Sequence, residues 1–409
     1  MSSLIIRYMK KLLLGGLCLA TLATACAPQV ADNEYLVTGT VTGIPDSTII
    51  TLRRLEGTLL QETVRDTVID GRFILRDTLS SPQHLLLRVQ GEGFPNSLLS
   101  VWVAPGQHIK VGGDGPLFPL WNVESDIKEQ QEENRFVAYT REPFQKALEY
   151  NVQETAFLKQ LLSEEHREDK DFKKTIWSKV DSIRKLAMPF ELEKAKLEVE
   201  YMKTAPVSQA WLSRLETNAK TVKAVALMPF YRDYGVLDEP LKALYQSLPD
   251  SVKQTQEAQV AYHALFPPQR IQVGDDMADG TLYDADGNEH RLAEFKGKYI
   301  LLDFWSQGCG PCRAAIPELE EVEAMYTGRL VVVSISTDTE SRWKKYLQEN
   351  KLPGIQWNEL RNDDGGLEAR YGVQGVPHYV LITPDGKVKD AWVGYGKGII
   401  KDNLKAHIK

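Results

Sequence analysis

The sequence WSQGCGPCRAAIP, residues 305–317, holds Cys309 and Cys312 with one Gly and one Pro between them. The apolar run YILLDF, residues 299–304, precedes it, and apolar residues at helical spacing follow it. This pattern predicts a buried strand and then a helix that begins at Cys309. Two cysteines at this spacing could exchange electrons, bind a metal ion or close a structural loop.

The cysteine count favours the first of these chemistries. The chain has 409 residues and four cysteines, of which Cys18 and Cys26 lie at the N-terminus, in and just after a candidate export signal. A structural disulfide framework uses more cysteines than the remaining two. A tetrahedral zinc site needs a second pair of ligands, and the seven histidines form no such pair. A disulfide across two residues restrains the unfolded chain little. Redox exchange by Cys309 and Cys312 is therefore predicted.

The position of Cys309 predicts its reactivity. A cysteine attacks as the thiolate, and the free N–H groups and dipole of a helix N-terminus favour negative charge there. Gly310 permits a sharp entry into the helix, and Pro311 suits its first turn, where the missing N–H costs nothing. Cys312 lies one turn later and is expected to face inward. Cys309 would then attack a substrate disulfide, and Cys312 would resolve the mixed disulfide.

The rest of residues 270–409 alternates between strand and helix patterns. A β-α-β order is followed by two strands joined at a Pro-Asp-Gly turn and by a closing helix, which indicates an α/β sandwich. Strands are predicted over 299–304, 330–335, 379–382 and 388–392, and helices over 309–326, 339–350, 367–371 and 399–407.

These motifs together resemble a known family. Residues 273–409 resemble the thioredoxin superfamily, specifically the exported TlpA/ResA-like thiol-disulfide oxidoreductases. The resemblance lies in Asp303-Phe304-Trp305 before Cys-Gly-Pro-Cys, in Pro317 where the family's active-site helix kinks, in Gly375-Val376-Pro377 at the family's cis-proline and in Val393-Gly394 at its last strand. The preceding part of the chain resembles the N-terminal half of multidomain thioredoxin-like lipoproteins.

The resemblance implies roles for several residues around the cysteines. Asp303 would be a buried general base that takes the proton of Cys312; the alternative is a strand-end Asp that faces water. Pro377 would be cis and would hold Val376 near the sulfurs, where a substrate strand can pair; the alternative is an ordinary trans turn proline. Gly394 is expected to serve the turn that follows the last strand, beside the substrate groove.

Three further positions are expected to shape the groove. Trp305 is assigned to its lining. Gly308 stands where the family usually has Trp, so the groove should be more open or covered by another domain. His378 follows the proposed cis-proline, where the family often has Thr. An imidazolium that points at Cys309 would stabilise the thiolate, and the alternative is a solvent-facing His.

The N-terminus predicts export. A basic segment, a short apolar run over residues 12–20 and small residues before Cys26 give residues 1–25 the order of a secretory signal. The run is shorter than the ~20 residues of a transmembrane span. Small residues before Cys resemble a bacterial lipoprotein box, which predicts lipidation of Cys26. The alternative is ordinary cleavage and release of a soluble periplasmic protein. Either outcome places the protein in the periplasm or cell envelope, where disulfides can form.

The segment between the signal and residue 270 predicts two further domains. Residues 26–34 are assigned as a linker. Residues 35–120 combine short β-forming runs with turn residues, as in a sandwich or barrel, and Asp70-Gly71 predicts a β-hairpin. Residues 121–268 are poor in Gly and rich in helix formers, with Trp177 and Trp211 expected in the core. The predicted fold is multidomain: an N-terminal all-β sandwich or barrel, a central α-helical region and a C-terminal α/β thioredoxin-like fold.

These patterns predict a periplasm-facing thiol-disulfide oxidoreductase, of the protein-disulfide reductase type. Its partners would be disulfide-containing proteins and a membrane thiol electron donor, with the membrane itself contacted through a lipid on Cys26. The net charge of −7 argues against a nucleic-acid partner, and no metal or nucleotide cofactor is expected beyond the cysteine pair. Two alternatives remain: a peroxidase of the peroxiredoxin type, and an envelope binding protein with an accessory redox domain.

Overall fold

A computed structural model describes residues 29–56, 59–162, 168–225, 229–361 and 365–408 of the chain. The predicted signal segment, residues 1–25, and Cys26 lie outside the described residues. Among the residues that are described, no helix is long and apolar enough to cross a membrane.

The first part of the described chain is made of strands. They form two four-stranded sheets, in the orders β4-β1-β7-β8 and β3-β2-β5-β6, whose buried side chains share one hydrophobic core. The strands are β1 (Glu34–Thr42), β2 (Ile49–Glu56), β3 (Leu59–Thr67), β4 (Arg72–Thr78), β5 (Gln83–Gln90), β6 (Leu99–Val103), β7 (His108–Asp114) and β8 (Asn122–Glu124).

The turn at Asp70-Gly71 forms, but it does not join a hairpin. Both residues have positive φ, 49° and 68°, and Ile69 and Arg72 form an isolated bridge across them. However, β3 pairs with β2 and β4 pairs with β1, so the turn carries the chain from one sheet to the other. Glycine is required here, because a Cβ on Gly71 would lie 2.5 Å from the carbonyl oxygen of Val41. The hairpin prediction is therefore wrong, although the turn itself is correct.

Helices follow the sheets. They are α1 (Lys128–Tyr139), α2 (Arg141–Leu161), α3 (Lys170–Met202), α4 (Gln209–Val225), α5 (Asp238–Gln246), α6 (Asp250–Lys253) and α7 (Gln256–Leu265). Trp211 lies in their common core, and its indole N–H donates to the carbonyl oxygen of Met202 at 3.0 Å. Trp177 is 45% exposed, contrary to the expectation of a core position. Trp177 lies in the N-terminal half of α3, which extends beyond that core. Only the part of α3 from Met188 onward packs into the core.

The C-terminal part is a seven-stranded sheet flanked by helices, in the order β10-β9-β13-β12-β11-β14-β15. This confirms the α/β thioredoxin-like fold expected for this part of a multidomain chain. Its elements are β9 (Leu282–Tyr283), β10 (Glu289–His290), β11 (Tyr299–Trp305), α8 (Gly310–Met325), β12 (Leu330–Ser336), α9 (Glu340–Glu349), β13 (Ile355–Asn358), α10 (Leu367–Arg370), β14 (His378–Ile382), β15 (Val388–Val393) and α11 (Ile399–His407).

The central strand of this sheet, β11, separates two hydrophobic cores. Because side chains alternate along a strand, Leu301 packs with α8 and α11 on one face, whereas Phe304 packs with Tyr371 and its neighbours on the other. β11 is parallel to β12 and antiparallel to β14. This arrangement places the end of β11, the start of α8 and the start of β14 close together.

Candidate active site at the cysteine pair

Cys309 and Cys312 lie where β11 ends and α8 begins, and they are joined by a disulfide bond. Cys309 is the N-cap residue of α8, and its Sγ accepts a hydrogen bond from the backbone N–H of Cys312 at 3.1 Å. Cys312 is only 4% exposed, whereas Cys309 is half-buried. One sulfur of the pair is therefore within reach of a partner molecule, and the other is shielded behind it.

The residues between the cysteines let the helix begin at this point. Gly310 and Pro311 occupy its first turn, where proline costs no backbone hydrogen bond. Among the N–H groups of this turn, that of Cys312 donates to the Cys309 sulfur. When the disulfide is reduced, this N–H and the helix dipole favour the Cys309 thiolate. Pro317 lies inside α8.

A second segment approaches the cysteines from the start of β14. The Val376–Pro377 peptide bond is cis, and the carbonyl oxygen of Val376 lies 3.4 Å from the Sγ of Cys309. The N–H of Gly394 donates to the carbonyl oxygen of Pro377 at 2.8 Å, and Gly394 has a φ of +88°. The expected groove residues Val376, Pro377 and Gly394 are thus brought together beside Cys309.

Gly308 and Trp305 have different environments. Gly308 is exposed, so the surface next to Cys309 carries no side chain at this position. Trp305 is buried beneath the cysteines, in a cluster with Cys312 and Trp343, and its ring contacts Tyr346. The assignment of Trp305 to the groove lining is corrected accordingly: the indole supports the cysteines from below, because α9 covers it.

His378 does not point at the cysteines. It pairs across the strands with Phe304 and meets the Phe304 ring edge-on, so it lies on the face of the sheet opposite α8. The imidazole is buried, and burial lowers its pKa. Both expectations for His378 are therefore wrong: the ring is neither an imidazolium beside Cys309 nor solvent-facing, because the register of β14 turns it into the second core.

Asp303 is buried in β11, with 4% of its surface exposed. Its Oδ2 accepts a hydrogen bond from the Ser334 hydroxyl at 3.0 Å, and its Oδ1 has no partner among the described residues. Burial raises the pKa of Asp303 to about 7, and the bond from Ser334 offsets part of that rise. Asp303 therefore exchanges its proton near neutral pH.

A cavity connects Asp303 with Cys312. It has an empty volume of about 380 Å³, counting the part that opens to solvent, and Ser334 and Gln356 also line it. Three buried polar atoms of its lining residues have no partner within the described part of the chain: Asp303 Oδ1, Trp305 Nε1 and Gln356 Oε1. Other lining residues are apolar, but these unpaired polar atoms are suitable partners for water, which can carry a proton between two groups that do not touch.

Comparison with known proteins identifies the domain that carries this site. The sequence profile of the AhpC/TSA family matches residues 273–391. The C-terminal domain belongs to the thioredoxin superfamily. It is 28% identical to the thioredoxin-like protein YneN of Bacillus subtilis, over 30% of this chain and 73% of YneN. It is 27% identical to the thiol-disulfide oxidoreductase ResA of Geobacillus thermodenitrificans, over 34% of this chain and 78% of ResA.

Solved structures also match about a third of the chain. The thioredoxin domain of a thiol-disulfide oxidoreductase from Bacteroides vulgatus is 30% identical, with a TM-score of 0.31, and the match covers 33% of this chain and 98% of that domain.

In the part of the chain that the structure describes, no group of three or more His, Cys, Asp or Glu side chains could hold a metal ion.

Glu318 of the thioredoxin-like domain was not singled out by the sequence. Its carboxylate is buried on α8 and accepts hydrogen bonds from the Tyr395 hydroxyl and from the backbone N–H groups of Gly398 and Lys401, at 3.0, 2.7 and 3.0 Å. Burial alone would raise its pKa, but these hydrogen bonds lower it. Glu318 caps α11 from α8 and so holds the loop that begins at Gly394. A lone Glu within a helix gives no sequence signal for such a role.

Proposed function

We propose that this protein is an exported thiol-disulfide oxidoreductase that reduces protein disulfides with the Cys309–Cys312 pair. The observation that carries the proposal is the asymmetry of the pair. Cys309 is half-buried at a helix N-terminus beside the cis-proline segment, and Cys312 is buried directly behind it. This arrangement suits an attacking thiolate and a resolving thiol.

The reaction proceeds in two exchanges. In the reduced protein, the Cys309 thiolate attacks one sulfur of a substrate disulfide, forms a mixed disulfide and releases the second substrate sulfur as a thiolate, which takes up a proton. Cys312 then loses its proton and attacks the Cys309 sulfur. The first substrate sulfur leaves as a thiolate and is protonated. The substrate gains two electrons and two protons, and the Cys309–Cys312 disulfide remains.

Asp303 supports the second exchange as a general base. Its pKa of about 7 lets it accept the Cys312 proton at neutral pH, and the cavity that both residues line gives the proton a path through water. The backbone of Val376, next to Cys309, is proposed to pair with an extended substrate segment. Pro377 and Gly394 hold the Val376 backbone in position.

The proposed location is the periplasm or cell envelope, with a lipid anchor on Cys26. It is supported by the signal-like order of residues 1–25 and by the small residues before Cys26. Each turnover leaves the pair oxidised, so a membrane thiol donor is proposed to return two electrons. The β and helical domains could choose the substrate without taking part in the exchange.

A peroxidase is the second candidate, because the matching profile is that of the AhpC/TSA family. The two functions differ in electron acceptor, so one assay separates them. The full chain is supplied with dithiothreitol and offered either a protein disulfide, such as insulin, or hydrogen peroxide. We expect the disulfide to be reduced well above the rate with dithiothreitol alone. Faster turnover of peroxide than of disulfide would assign the peroxidase function, and no turnover of either would favour an envelope binding protein.

A further inference from the structure

Asp338 lies in the segment between β12 and α9 and is not part of any sequence motif. Its side chain is only 6% exposed. Its Oδ2 accepts the backbone N–H of Gln307 at 2.7 Å and the Ser336 hydroxyl at 3.4 Å. Its Oδ1 accepts the Ser306 hydroxyl at 3.3 Å. The carboxylate is therefore directed at the loop that precedes Cys309.

Hydrogen bonds within that loop connect Ser306 to Cys309. The N–H of Cys309 donates to the carbonyl oxygen of Ser306 at 3.0 Å, and the N–H of Gly308 donates to the Ser306 hydroxyl at 3.3 Å. Ser306 thus bonds both to Asp338 and to the residues at the cysteine. A shift of Asp338 would be passed on to Cys309 through this loop.

Asp338 is itself held firmly. Its N–H donates to the Ser336 hydroxyl at 3.2 Å, and its carbonyl oxygen accepts the side-chain amide of Asn358 at 2.9 Å. These bonds connect it to the ends of β12 and β13. The charged side chain that faces its carboxylate is Arg342 on α9, at 3.9 Å from Oδ1. The anchor for the cysteine loop is thus built on the sheet and not on the loop itself.

The charge of Asp338 is also close enough to act on Cys309. Consecutive Cα atoms are 3.8 Å apart, so the Gln307 backbone that Asp338 binds lies within about 8 Å of Cys309. The carboxylate accepts the N–H of Gln307 and is shielded from solvent, so salt screens its charge only weakly. A nearby negative charge opposes formation of a thiolate, and Arg342 offsets only part of it, because its side chain is 40% exposed.

We propose that Asp338 is a positioning residue for the exchange reaction. Its carboxylate fixes the Ser306–Gly308 loop, and its negative charge keeps the Cys309 thiolate reactive and the cysteine pair reducing. The inference rests on the proposed function, because it concerns the same cysteines. Reduction of the disulfide creates a thiolate at Cys309, and a neighbouring carboxylate makes that anion less stable. Removing the charge should therefore favour the reduced pair.

The test compares Asp338→Asn with Asp286→Asn in the full chain. Asn keeps the size of the side chain and an oxygen that can accept the Gln307 N–H, but it has no charge. Asp286 is exposed in the β9–β10 turn, so its substitution removes the same charge from the same domain, away from the cysteines. For Asp338→Asn we expect a lower pKa of the Cys309 thiol and an equilibrium with glutathione shifted about tenfold towards the reduced pair, or about 30 mV.

Asp338→Ala removes the loop anchor as well as the charge, and it should also lower kcat for a protein disulfide. A melting curve for each variant shows that it is folded, and the Asn variant decides the question if the Ala variant is not. The proposal is overturned if Asp338→Asn leaves the Cys309 pKa and the glutathione equilibrium at the values of Asp286→Asn, or if it raises that pKa. Both readouts need no substrate, so they separate this proposal from an error about the substrate class.

Discussion

Replacing Cys312 with alanine is expected to trap the protein on its substrate as a mixed disulfide. Cys309 can still attack, since it is the half-buried sulfur at the start of α8, but the buried thiol that would release the substrate is gone. Turnover of a protein disulfide should fall to background while a covalent complex accumulates. Non-reducing electrophoresis and intact mass measurement detect the complex, and dithiothreitol should dissolve it.

Cys309→Ala is the matched control for this experiment. It should abolish turnover without trapping a substrate, because Cys312 is shielded behind the helix N-terminus. If Cys309→Ala forms the adduct and Cys312→Ala does not, the roles of the two cysteines are reversed. If neither variant loses turnover, the pair does not carry the reaction.

Asp303→Asn is expected to slow the exchange and to stabilise the fold. With a pKa of about 7, Asp303 becomes a competent base as pH rises through 7, so the wild-type rate should rise over that range. The Asn variant has no base and should lose about 10²-fold at pH 8, with the step near pH 7 gone from its profile. Stopped-flow rates of substrate reduction between pH 5 and 9 measure both effects.

The same substitution, Asp303→Asn, should raise the free energy of unfolding although it lowers the rate. The Asp303 carboxyl has an ordinary pKa of 3.8 when unfolded and about 7 when folded, so the folded state holds the proton longer. The contribution of this group to the free energy of unfolding is largest below pH 3.8. It declines as pH rises to about 7 and stays lower above that pH. Because one pKa unit corresponds to about 1.4 kcal/mol, the penalty that Asn removes at pH 8 is roughly 4 kcal/mol. Denaturant unfolding at pH 5 and pH 8 should show a larger gain at pH 8.

Ser334→Ala provides the matched control for Asp303. It removes the hydrogen bond that lowers the pKa of Asp303, so the step in the rate profile should move to higher pH while the base is kept. An Asp303→Asn variant with the wild-type pH profile would contradict the general-base role. So would a step that Ser334→Ala leaves in place.

The region around the cysteines was predictable because its signals are local. The buried run before Cys309, the Gly-Pro entry and the helical spacing after it fix β11 and α8 to within a residue or two at each end. The cis-proline segment was found through the family resemblance. The placement of Val376 next to Cys309 depends on the pairing of β11 with β14, which no local pattern in the sequence specifies.

Two strands of the N-terminal sheets have weak patterns in the sequence. Strand β3 mixes charged and apolar residues at the edge of its sheet, and β7 contains Gly112 and Gly113. Gly113 is required because a Cβ there would lie 2.0 Å from the Trp121 ring, a contact that only the folded structure reveals. A strand interrupted by glycine for packing reasons reads as a loop.

The errors at single side chains have a common cause. The sequence shows that His378 and Trp305 are near the cysteines, but only strand register and the covering helix decide which way each points. Asp338 and Glu318 act through backbone groups distant in sequence, such as the N–H of Gln307 and that of Lys401. Side chains that bind backbone carry no motif, so tertiary structure was needed to find them.

The reduction potential of the Cys309–Cys312 pair tests the central claim most directly. The full chain is equilibrated with glutathione buffers of known ratio, and the reduced fraction is read by thiol labelling and mass measurement. A protein-disulfide reductase should give a value near about −270 mV, as thioredoxin does. A value near about −120 mV, as in strong oxidants, would mean that the pair forms disulfides in its substrates. A pair that never forms a reversible disulfide would contradict redox exchange altogether.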